Sequence, residues 1–368
     1  MRRSFKYRIY PSAAQKTILN KTLVECQILY NHLLSERTIS WEQHKKSLSL
    51  YQQQKTFPLL KSQRPSLDIA YSQVLQNVSV RVDLAFKGFF RRCKNGEKPG
   101  YPRRKVNTYD SITYTQLNNG SFKLFQKKIH LSKIGDIGIK QHRNLEGVPK
   151  TCTVSRTATG KWYVSISCEV EPKPLPQNKI AVGIDLGLKS FAVLSDSTKI
   201  NNPRFFKGEE NNLAKAQRSF SKQKKRTIGY RKKKKVVARI YERIKNKRHN
   251  FCHQESNRII KKYGIVCVEN LNTKKMLEEK KFSKSISDVA WSLFLDCLSY
   301  KAESADRIFV KINPAYTTQT CSCCGHRQQM PLDERMFCCE KCGLKIGRDL
   351  NSSINIKRAG LCSLANTA

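Results

Sequence analysis

Alternating apolar and polar residues open the chain and predict a half-buried strand whose inner face carries Phe5, Tyr7 and Ile9. A helix is predicted next, since Ser12 and Gln15 have capping-box spacing and apolar residues then recur every three or four positions. The segment "SQVLQNVSVRVDLAFKGFFRR" predicts a second amphipathic helix, with basic residues beside its apolar stripe. The chain therefore begins with one strand and a helical segment.

The pattern changes to short strands beyond residue 110. Hairpins are predicted as far as residue 170, and the prolines of "EPKPLPQNK" mark a domain boundary. After it, apolar runs of buried-strand type ("KIAVGIDLG", "SFAVLSD", "YGIVCVENLN", "RIFVKIN") alternate with helical segments. We expect "SISDVAWSLFLDCLSYKAESA" to form one helix and "DLNSSINIKRAG" a short closing helix. The alternation predicts an α/β domain in the second half of the chain.

A strongly basic segment lies in this second half. Residues 215–262 contain 19 Lys or Arg and two acids, with apolar spacing typical of helices and a break expected at "TIGYRKKKK". The whole chain has 70 Lys and Arg against 28 Asp and Glu, a formal net charge of +42. This excess favours a nucleic-acid groove over a solvated face, and a basic protein without catalytic activity is the alternative. The candidate contacts are Arg81 in the second helix and, in the basic segment, Lys224, Lys225, Arg226, Arg231, Lys232, Lys233, Arg239, Arg243 and Arg248.

The sequence also bears on cellular location. No apolar run reaches the length of a secretory signal or of a membrane span. We therefore expect a cytoplasmic protein without a membrane partner. In that reducing compartment, the 14 cysteines are expected to be thiols or metal ligands rather than disulfides.

Cysteine pairs near the end of the chain predict a metal site. The segment "CSCCGHRQQMPLDERMFCCEKC" contains two CxxC pairs, Cys321 with Cys324 and Cys339 with Cys342. Two such pairs can supply the four thiolates of a closed structural zinc site, which stiffens a fold or helps it to bind nucleic acid. A cluster of free thiols is the alternative to a metal site. The further ligands that this spacing leaves open are Cys323, His326 and Cys338.

Three acids that are far apart in the sequence form the candidate catalytic site. Asp185 and Glu269 belong to apolar strand segments, where an ionised carboxylate is costly unless a cation or hydrogen bonds satisfy it. Asp349 begins the last helix. If folding brings the three together, they can hold two Mg²⁺ or Mn²⁺ ions for phosphodiester hydrolysis. The structural alternatives are a turn interaction for Asp185, a salt bridge for Glu269 and a helix N-cap for Asp349.

The segments "YNHLLSER", "LQNVSVRVDLAFKGFFRR", "KPGYPR", "GIDLGLKSFAVLSD", "VCVENLN", "KSISDVAW", "TTQTCSCCGH", "CEKCG" and "RDLNSSINI" follow one another along the chain. In this order they resemble the TnpB proteins of bacterial insertion sequences, which are related to type V CRISPR effectors. The resemblance covers essentially the whole chain. The sequence departs from the family at Gly347, where the family often has Asp, and neither this nor the replacement of "NAA" by "NSS" removes a candidate metal-binding acid.

The resemblance implies a multidomain α+β architecture. Its parts are a β-barrel wedge domain at residues 1–10 and 105–175, a helical recognition lobe at 11–104, a RuvC-like nuclease domain of RNase H fold (α/β) at 178–312 and 348–360, a zinc ribbon that binds target nucleic acid at 313–347, and a tail at 361–368. The zinc ribbon is thus an insertion before the last segment of the nuclease domain.

The resemblance also implies a function. TnpB proteins are guided by an RNA transcribed from the transposon end, and they cut double-stranded DNA beside a short transposon-adjacent motif. Gln76 is a candidate, from its position alone, for reading that motif. The family's site residues carry over onto Asp185, Glu269 and Asp349 for the catalytic Mg²⁺ or Mn²⁺, and onto Cys321, Cys324, Cys339 and Cys342 for one structural Zn²⁺.

We therefore expect a monomeric prokaryotic endonuclease, associated with the nucleoid when it is bound to DNA, whose partners are a guide RNA and target double-stranded DNA. The alternative is a nuclease-inactive, RNA-guided DNA-binding protein that regulates transcription or transposition. The intact triad argues against this, because such relatives usually lose an acid. A transposase that joins DNA strands itself is disfavoured, because none of the seven histidines forms a His-x-His pair.

Overall fold

The computed structural model describes residues 1–115, 120–278, 283–331 and 334–366. The chain divides into two units, Met1–Glu171 and Pro172–Ala368, and the division falls in the proline-rich segment "EPKPLPQNK". Each unit buries a hydrophobic core of its own.

The first unit contains a seven-stranded sheet in which all neighbouring strands are antiparallel. Its strands are β1 (Arg2–Tyr10), β2 (Ser111–Tyr114), β3 (Phe122–Leu124), β4 (Lys128–Leu131), β5 (Gly135–Lys140), β6 (Val148–Arg156) and β7 (Trp162–Glu169). Their order across the sheet is β2-β6-β7-β1-β5-β4-β3. The alternation predicted for the first strand is confirmed, because Phe5, Tyr7 and Ile9 are buried and β1 lies at the middle of the sheet.

Helices form the rest of the first unit. They are α1 (Ala13–His44), α2 (Leu50–Lys55), α3 (Phe57–Gln63) and α4 (Ser72–Lys94), with a short 3₁₀ helix at Pro65–Ile69. The capping box predicted at the start of α1 is confirmed, since the backbone amide of Gln15 donates to Ser12 Oγ and Gln15 Oε1 accepts from the Ser12 amide. The buried apolar stripe of α4 includes Val74, Val78 and Val82, as its periodicity predicts.

The second unit is built on a mixed five-stranded sheet. Its strands are β8 (Ala181–Leu186), β9 (Ser190–Leu194), β10 (Lys199–Asn201), β11 (Ile265–Glu269) and β12 (Ile308–Ile312), in the order β10-β9-β8-β11-β12. The pairs β10–β9 and β9–β8 are antiparallel, whereas β8–β11 and β11–β12 are parallel. The α/β alternation predicted from the sequence is therefore confirmed.

The remaining elements of the second unit are helices and one small hairpin. They are α5 (Phe205–Ser221), α6 (Ile228–Lys262), α7 (Thr273–Glu278), α8 (Ser283–Val289), α9 (Trp291–Ser304), β13 (Met336–Cys338), β14 (Lys345–Gly347) and α10 (Arg348–Ala365). The antiparallel hairpin β13–β14 directly precedes α10. Within the described parts of the chain, the helices of both units fall short of the combined length and apolarity that crossing a bilayer requires.

Three details of the helices differ from the sequence prediction. The single helix expected over "SISDVAWSLFLDCLSYKAESA" is two helices, because Ala290 adopts a left-handed conformation with a φ of 59° between α8 and α9. The break expected at "TIGYRKKKK" lies earlier, because Thr227 Oγ1 accepts from the Tyr230 amide and caps α6. The closing helix is longer than expected and reaches Ala365. Residues 367 and 368 of the expected tail lie outside the described residues.

Candidate active site and metal centre

Two of the candidate acids lie side by side at the carboxyl ends of parallel strands. The register of β8 and β11 pairs Ile184 with Val268, so the next residues along the two strands are Asp185 and Glu269. Side chains alternate between the two faces of a sheet, which places Asp185 on the same face as Gly183 and Glu269 on the same face as Cys267. The two acids therefore belong to neighbouring positions of one sheet.

Helix α10 covers this face at very short range. A Cβ at Gly183 would lie 2.0 Å from the Ser353 carbonyl oxygen, and one at Gly360 would lie 2.2 Å from Cys267 Sγ. The absence of a side chain at Gly183 therefore lets the backbone of α10 approach β8. In the same way, Gly360 lets α10 approach the Cys267 sulfur on β11. Asp349 lies in the first turn of this helix. The close contact brings the third acid to the strands that carry the other two.

The electrostatics of the three acids are coupled. Burial, and then the negative charge of Glu269 and Asp349, raise the pKa of Asp185 to about 8, while the guanidinium of Arg348 acts in the opposite direction. Burial also raises the pKa of Glu269, and the hydroxyl of Thr317 opposes this shift by donating a 2.6 Å hydrogen bond to Glu269 Oε1. Such a cluster favours a bound cation or a shared proton, and perturbed carboxylates of this kind are typical of functional sites.

The structural alternatives for two of these acids are wrong. Gly347, not Asp349, occupies the N-cap position of α10, and it makes no side-chain capping bond. Asp349 instead has a loose contact of 3.7 Å between its Oδ1 and Arg348 Nε. In the described residues, the partner of Glu269 is the Thr317 hydroxyl and not a basic side chain.

A buried hydrogen-bond network that the sequence did not reveal joins α10 to the segment that leads into the cysteine cluster. Asn351 Nδ2 donates to the Thr320 carbonyl and its Oδ1 accepts from the Ser322 amide, each at 2.8 Å. Asn355 Nδ2 donates to the carbonyls of Thr317 and Thr320 at 3.0 and 2.6 Å. The helix that carries Asp349 is thus fixed to Thr317, which in turn holds Glu269. The polar residues inside the predicted helix "DLNSSINI" were the one sequence feature that could have indicated this network.

The four cysteines of the predicted metal site converge. Their sulfurs all lie within 4.8 Å of one another, with Cys321–Cys342 and Cys324–Cys339 separations of 3.6 Å. Tetrahedral zinc with Zn–S bonds of about 2.3 Å requires sulfurs roughly 3.8 Å apart, so the thiolate set fits this ion. Among the described residues, no other group of three or more His, Cys, Asp or Glu side chains brings its ligand atoms together in this way. Cys323, His326 and Cys338, the further candidates, lie outside the group.

Turns and backbone amides prepare this cluster for a metal. Gly325 and Gly343 follow the second cysteine of each pair with φ values of 74° and 70°, which a residue with a side chain adopts only at a cost. The amides of Gly325 and Gly343 donate to the carbonyls of Cys321 and Cys339. Backbone hydrogen bonds from Cys342 and Lys341 lower the pKa of Cys339, whereas burial and the neighbouring thiols raise the pKa of Cys342, so Cys339 is the thiol of this pair that ionises first.

Comparison with known proteins identifies the family. A protein of Streptomyces pristinaespiralis, named "Putative RNA-guided DNA endonuclease", is 33% identical over 99% of this chain and 91% of its own length. The chain belongs to the OrfB/TnpB family. InsQ of Escherichia coli K12, which carries the same designation, is 28% identical over 98% of this chain and 93% of its own length. The resemblance to TnpB seen in the sequence is therefore confirmed.

Family models match three parts of this TnpB-family chain. They are the OrfB "Probable transposase" model at residues 165–280, a Cas12f1-like TNB domain at 291–356 and a helix-turn-helix domain at 1–46. A solved structure of a Cas12f1–sgRNA–target DNA complex covers 97% of this chain and 98% of its own, with a TM-score of 0.62 and 14% identity. This last likeness shows a shared mixed α/β multidomain fold.

A cationic pocket, a second feature that the sequence did not reveal, lies in the same unit of this TnpB-family chain. Its cavity is about 520 Å³, and its lining includes five basic side chains and the acids Glu210 and Asp288. The acids have partners, since Lys284 pairs with Glu210 and Arg248 pairs with Asp288 at 2.8 Å. The basic side chains are Lys189, Arg204, Lys207, Lys284 and Arg335. The pocket therefore keeps an excess of positive charge.

This pocket is connected to the candidate acids. Leu188, which lines it, comes three residues after Asp185. The carbonyl of Arg335, another lining residue, accepts a 2.8 Å hydrogen bond from the amide of Arg348, the neighbour of Asp349. The excess of positive charge suits an anion such as a phosphate, and these two links tie the pocket to the elements that carry Asp185 and Asp349.

The candidate nucleic-acid contacts fall into two groups. Several are engaged within the protein: Arg81 bonds to Asn77, Ser111 and Thr113, Arg243 pairs with Glu209 and Arg248 pairs with Asp288. The others are exposed, and they are Gln76 on α4, Lys224, Lys225 and Arg226 before α6, and Arg231, Lys232, Lys233 and Arg239 on α6. The exposed group is available to a nucleic acid, as is Arg243, whose side chain is 59% exposed beside Glu209.

Proposed function

We propose that this chain is an RNA-guided DNA endonuclease that cuts double-stranded DNA beside a short transposon-adjacent motif. The observation that carries the proposal is the meeting of Asp185, Glu269 and Asp349 where β8, β11 and α10 converge. The names of the Streptomyces and Escherichia relatives, which align over nearly all of the chain, support the same activity.

The proposed reaction centre is a RuvC-like site of RNase H type. The five-stranded sheet, with three antiparallel strands followed by two parallel ones, supports this assignment. The three mutually repelling carboxylates, of which that of Glu269 is buried, have the donor chemistry that Mg²⁺ or Mn²⁺ requires. A divalent ion held by Asp185, Glu269 and Asp349 would supply a water of lowered pKa and charge neutralisation at the scissile phosphate.

The protein's own side chains orient the substrate and the carboxylates. Thr317 holds one oxygen of Glu269, which leaves the other free to act as a ligand. The cationic pocket of the same unit (Lys189, Arg204, Lys207, Lys284 and Arg335) would hold a phosphate of the strand to be cut. Orientation of this kind contributes to rate because it replaces a bimolecular encounter by a fixed geometry.

The other proposed parts follow the family architecture. Residues 1–10 and 105–175 would form the β-barrel wedge and residues 11–104 the recognition lobe, in which the exposed Gln76 would help to read the adjacent motif. The nuclease domain would comprise 178–312 and 348–360, with a zinc ribbon at 313–347 and a tail at 361–368. The exposed basic side chains of α6 would line the channel for the guide–target duplex, which is read by its shape and backbone rather than by its sequence.

Purification with the co-bound RNA tests this proposal. The RNA is sequenced, and the complex is then incubated with Mg²⁺ and plasmids whose target is flanked by randomised sequence. We expect linear products with one enriched flank, and loss of cutting of at least 10²-fold in Asp185→Asn. Asp306→Asn is the matched control, because Asp306 is exposed in the same unit and its φ of 55° suits Asn.

Each other outcome has a definite meaning. If both the unchanged protein and Asp185→Asn bind the guided target without cutting it, the proposed nuclease activity is wrong and an RNA-guided regulator is favoured. Cutting that continues in Asp185→Asn would overturn the assignment of the site. A protein that carries no specific RNA would overturn RNA guidance.

A further inference from the structure

An aromatic pocket in the first unit has no role in the proposed chemistry. The end of α1, the loop after it, the end of α4 and the segment beyond α4 enclose a cavity of about 470 Å³. This volume falls in the range of small-ligand sites, about 300–1,000 Å³. The side chains that define the aromatic pocket are Trp41, Leu48, Phe86, Phe89, Phe90 and Tyr101.

Three of the aromatic rings of this pocket are exposed, and the phenylalanine and tyrosine rings contact one another. Trp41 is 55% exposed, Phe90 60% and Tyr101 48%. Tyr101 makes edge contacts with Phe86 and Phe89 at centroid distances of 5.7 and 5.3 Å, and its hydroxyl lies 3.2 Å from Thr38 Oγ1. Contiguous exposed apolar surface is unusual in a monomer and marks a binding site. The exposed rings therefore form an apolar surface that is available to a flat ligand, and the ring contacts and the Thr38 hydroxyl hold Tyr101 in it.

Basic residues flank the lining residues of the aromatic pocket along the chain. Residues 91–105, which connect Phe90 to Tyr101 and continue beyond it, contain seven Lys or Arg and one acid, Glu97. Lys45 and Lys46, which are exposed, directly precede the lining residues Ser47 and Leu48. Arg92 Nη2 donates to the Gly100 carbonyl at 2.9 Å, which holds the segment beyond α4 against the helix. A ligand of this pocket must therefore combine an apolar face with negative charge.

We propose that the aromatic pocket binds an unpaired nucleobase of the RNA that this protein carries, with the adjoining phosphates on the basic residues that flank the pocket in the sequence. Exposed aromatic rings beside a basic surface are the common recognition mode for single-stranded nucleic acid, because every base has a face that stacks. A duplex keeps its bases inside the helix and cannot fill such a pocket. The inference rests on the proposed function only in that it takes an RNA to be the bound partner.

RNA is assigned here in preference to DNA for a physical reason. Specific RNA recognition is directed mostly at loops and bulges, whose splayed bases stack on aromatic side chains. The target strand of a guided nuclease is instead paired with the guide over its recognised length, and the displaced DNA strand becomes unpaired only after DNA has bound. An unpaired loop of the guide RNA is therefore the ligand that can occupy the pocket before any DNA arrives.

Tryptophan fluorescence gives a direct test. The chain has three Trp residues, and Trp162 and Trp291 are only 3% exposed, so Trp41 is the accessible reporter. Full-length protein is freed of nucleic acid and titrated with a ten-nucleotide uridine RNA and with a duplex RNA of the same length. We expect the single strand to quench the emission of Trp41 and the duplex to leave it unchanged. The quench should be absent in Trp41→Phe, which retains a ring.

The affinities provide the second readout. Loss of one stacked base weakens binding of the single strand about 5- to 150-fold in Trp41→Ala. Trp41→Phe should remain within about fivefold of the unchanged protein. Tyr51→Ala is the matched control, because Tyr51 is an exposed aromatic of the same unit outside the pocket, and it should bind normally. Equal affinity of Trp41→Ala and the unchanged protein would overturn the proposal.

The RNA-bound protein distinguishes the other possible occupants. In the complex with its own RNA, Trp41 should already be shielded from acrylamide. Shielding that begins only when target DNA is added would assign the pocket to DNA and overturn the RNA assignment. A dimer of the RNA-free protein that Trp41→Ala dissociates, without any quench by RNA, would assign it to a second copy. If Asp185→Asn abolishes cutting while Trp41→Ala binds RNA normally, only this inference fails and the proposed function stands.

Discussion

Asp185 is a single residue whose ionised carboxylate destabilises the folded protein. Its pKa is raised to about 8 by burial and by two neighbouring carboxylates, so the folded protein keeps the proton that the unfolded chain has already released above pH 4. The folded state then binds more protons than the unfolded state, and stability falls as pH rises between about 4 and 8.

Asp185→Asn should therefore stabilise the metal-free protein. The amide cannot ionise, so we expect an unfolding free energy higher than that of the unchanged protein by on the order of 2–4 kcal/mol at pH 8, in EDTA. The difference should shrink towards zero near pH 4, where both side chains are neutral. Denaturant unfolding at pH 4.5, 6 and 8 measures it. A variant that is equally stable at all three values would contradict the raised pKa of Asp185.

The hydroxyl of Thr317 is the second residue whose role can be isolated. Thr317→Val keeps the shape of the side chain and removes the 2.6 Å hydrogen bond to Glu269. Hydrogen bonds to charged groups contribute about 1.5–3 kcal/mol, so single-turnover cutting should slow by about 10- to 150-fold. Thr320→Val is the control, because the partner of its hydroxyl in the described parts of the chain is the Tyr316 carbonyl of the same turn. Equal cutting rates in the two variants would show that Glu269 needs no such orientation.

At the scale of elements, the contact between α10 and β8 decides where the third acid lies. A methyl group at Gly183 would collide with the Ser353 carbonyl, so Gly183→Ala must push the helix outward. We expect a loss of about 2–4 kcal/mol in unfolding free energy and a large loss of cutting. Gly208→Ala, in the exposed part of α5 where a Cβ meets nothing, should instead be neutral or stabilising by up to about 1 kcal/mol. Thermal unfolding and cutting assays on both variants check this.

The link between α10 and the cysteine cluster gives a second prediction for the elements. Asn351 holds the backbone on both sides of Cys321, so Asn351→Ala should leave the Ser322 amide unsatisfied and the Thr320 carbonyl with only its hydrogen bond from Asn355. We expect zinc to pass to a chromophoric chelator at least tenfold faster, and cutting to slow in parallel. Leu361→Ala, at an exposed position of the same helix, is the control. Faster zinc loss with unchanged cutting would show that the cluster and the acids are independent.

The elements also show how far the sequence alone could lead. The capping box of α1, the acids at the ends of β8 and β11 and the CxxC pairs are local patterns, and the structure places them as predicted. The break at Ala290 and the roles of Thr317 and Asn351 depend on partners that are distant in the chain. Asp288 Oδ1, for example, accepts from the amide of Phe206 at 2.8 Å, and no periodicity of either segment indicates that contact.

Over the whole molecule, the basic side chains behind the net charge of +42 fall into two classes. Some cations stabilise the fold, as Arg248 does through its ion pair with Asp288, whose side chain is largely buried. Others, such as Lys232 and Lys233, are exposed on α6, and in the described residues neither contacts a carboxylate. Composition cannot separate these classes, because only folding decides which cations receive an internal partner.

Salt dependence separates them in solution. Each phosphate that a protein neutralises steepens the plot of log affinity against log salt by about 0.7–0.9, so Lys232→Gln with Lys233→Gln should make it shallower by up to about 2. Arg248→Gln should leave that slope unchanged and lower the unfolding free energy by about 2 kcal/mol, since it leaves Asp288 without its ionic partner. Binding of the RNA-loaded protein to target DNA at KCl concentrations from about 50 to 400 mM measures the slopes, and thermal unfolding measures the stabilities. If the double Lys variant loses stability while Arg248→Gln loses salt dependence, the nucleic acid follows the ion-paired face of α6 rather than the exposed one.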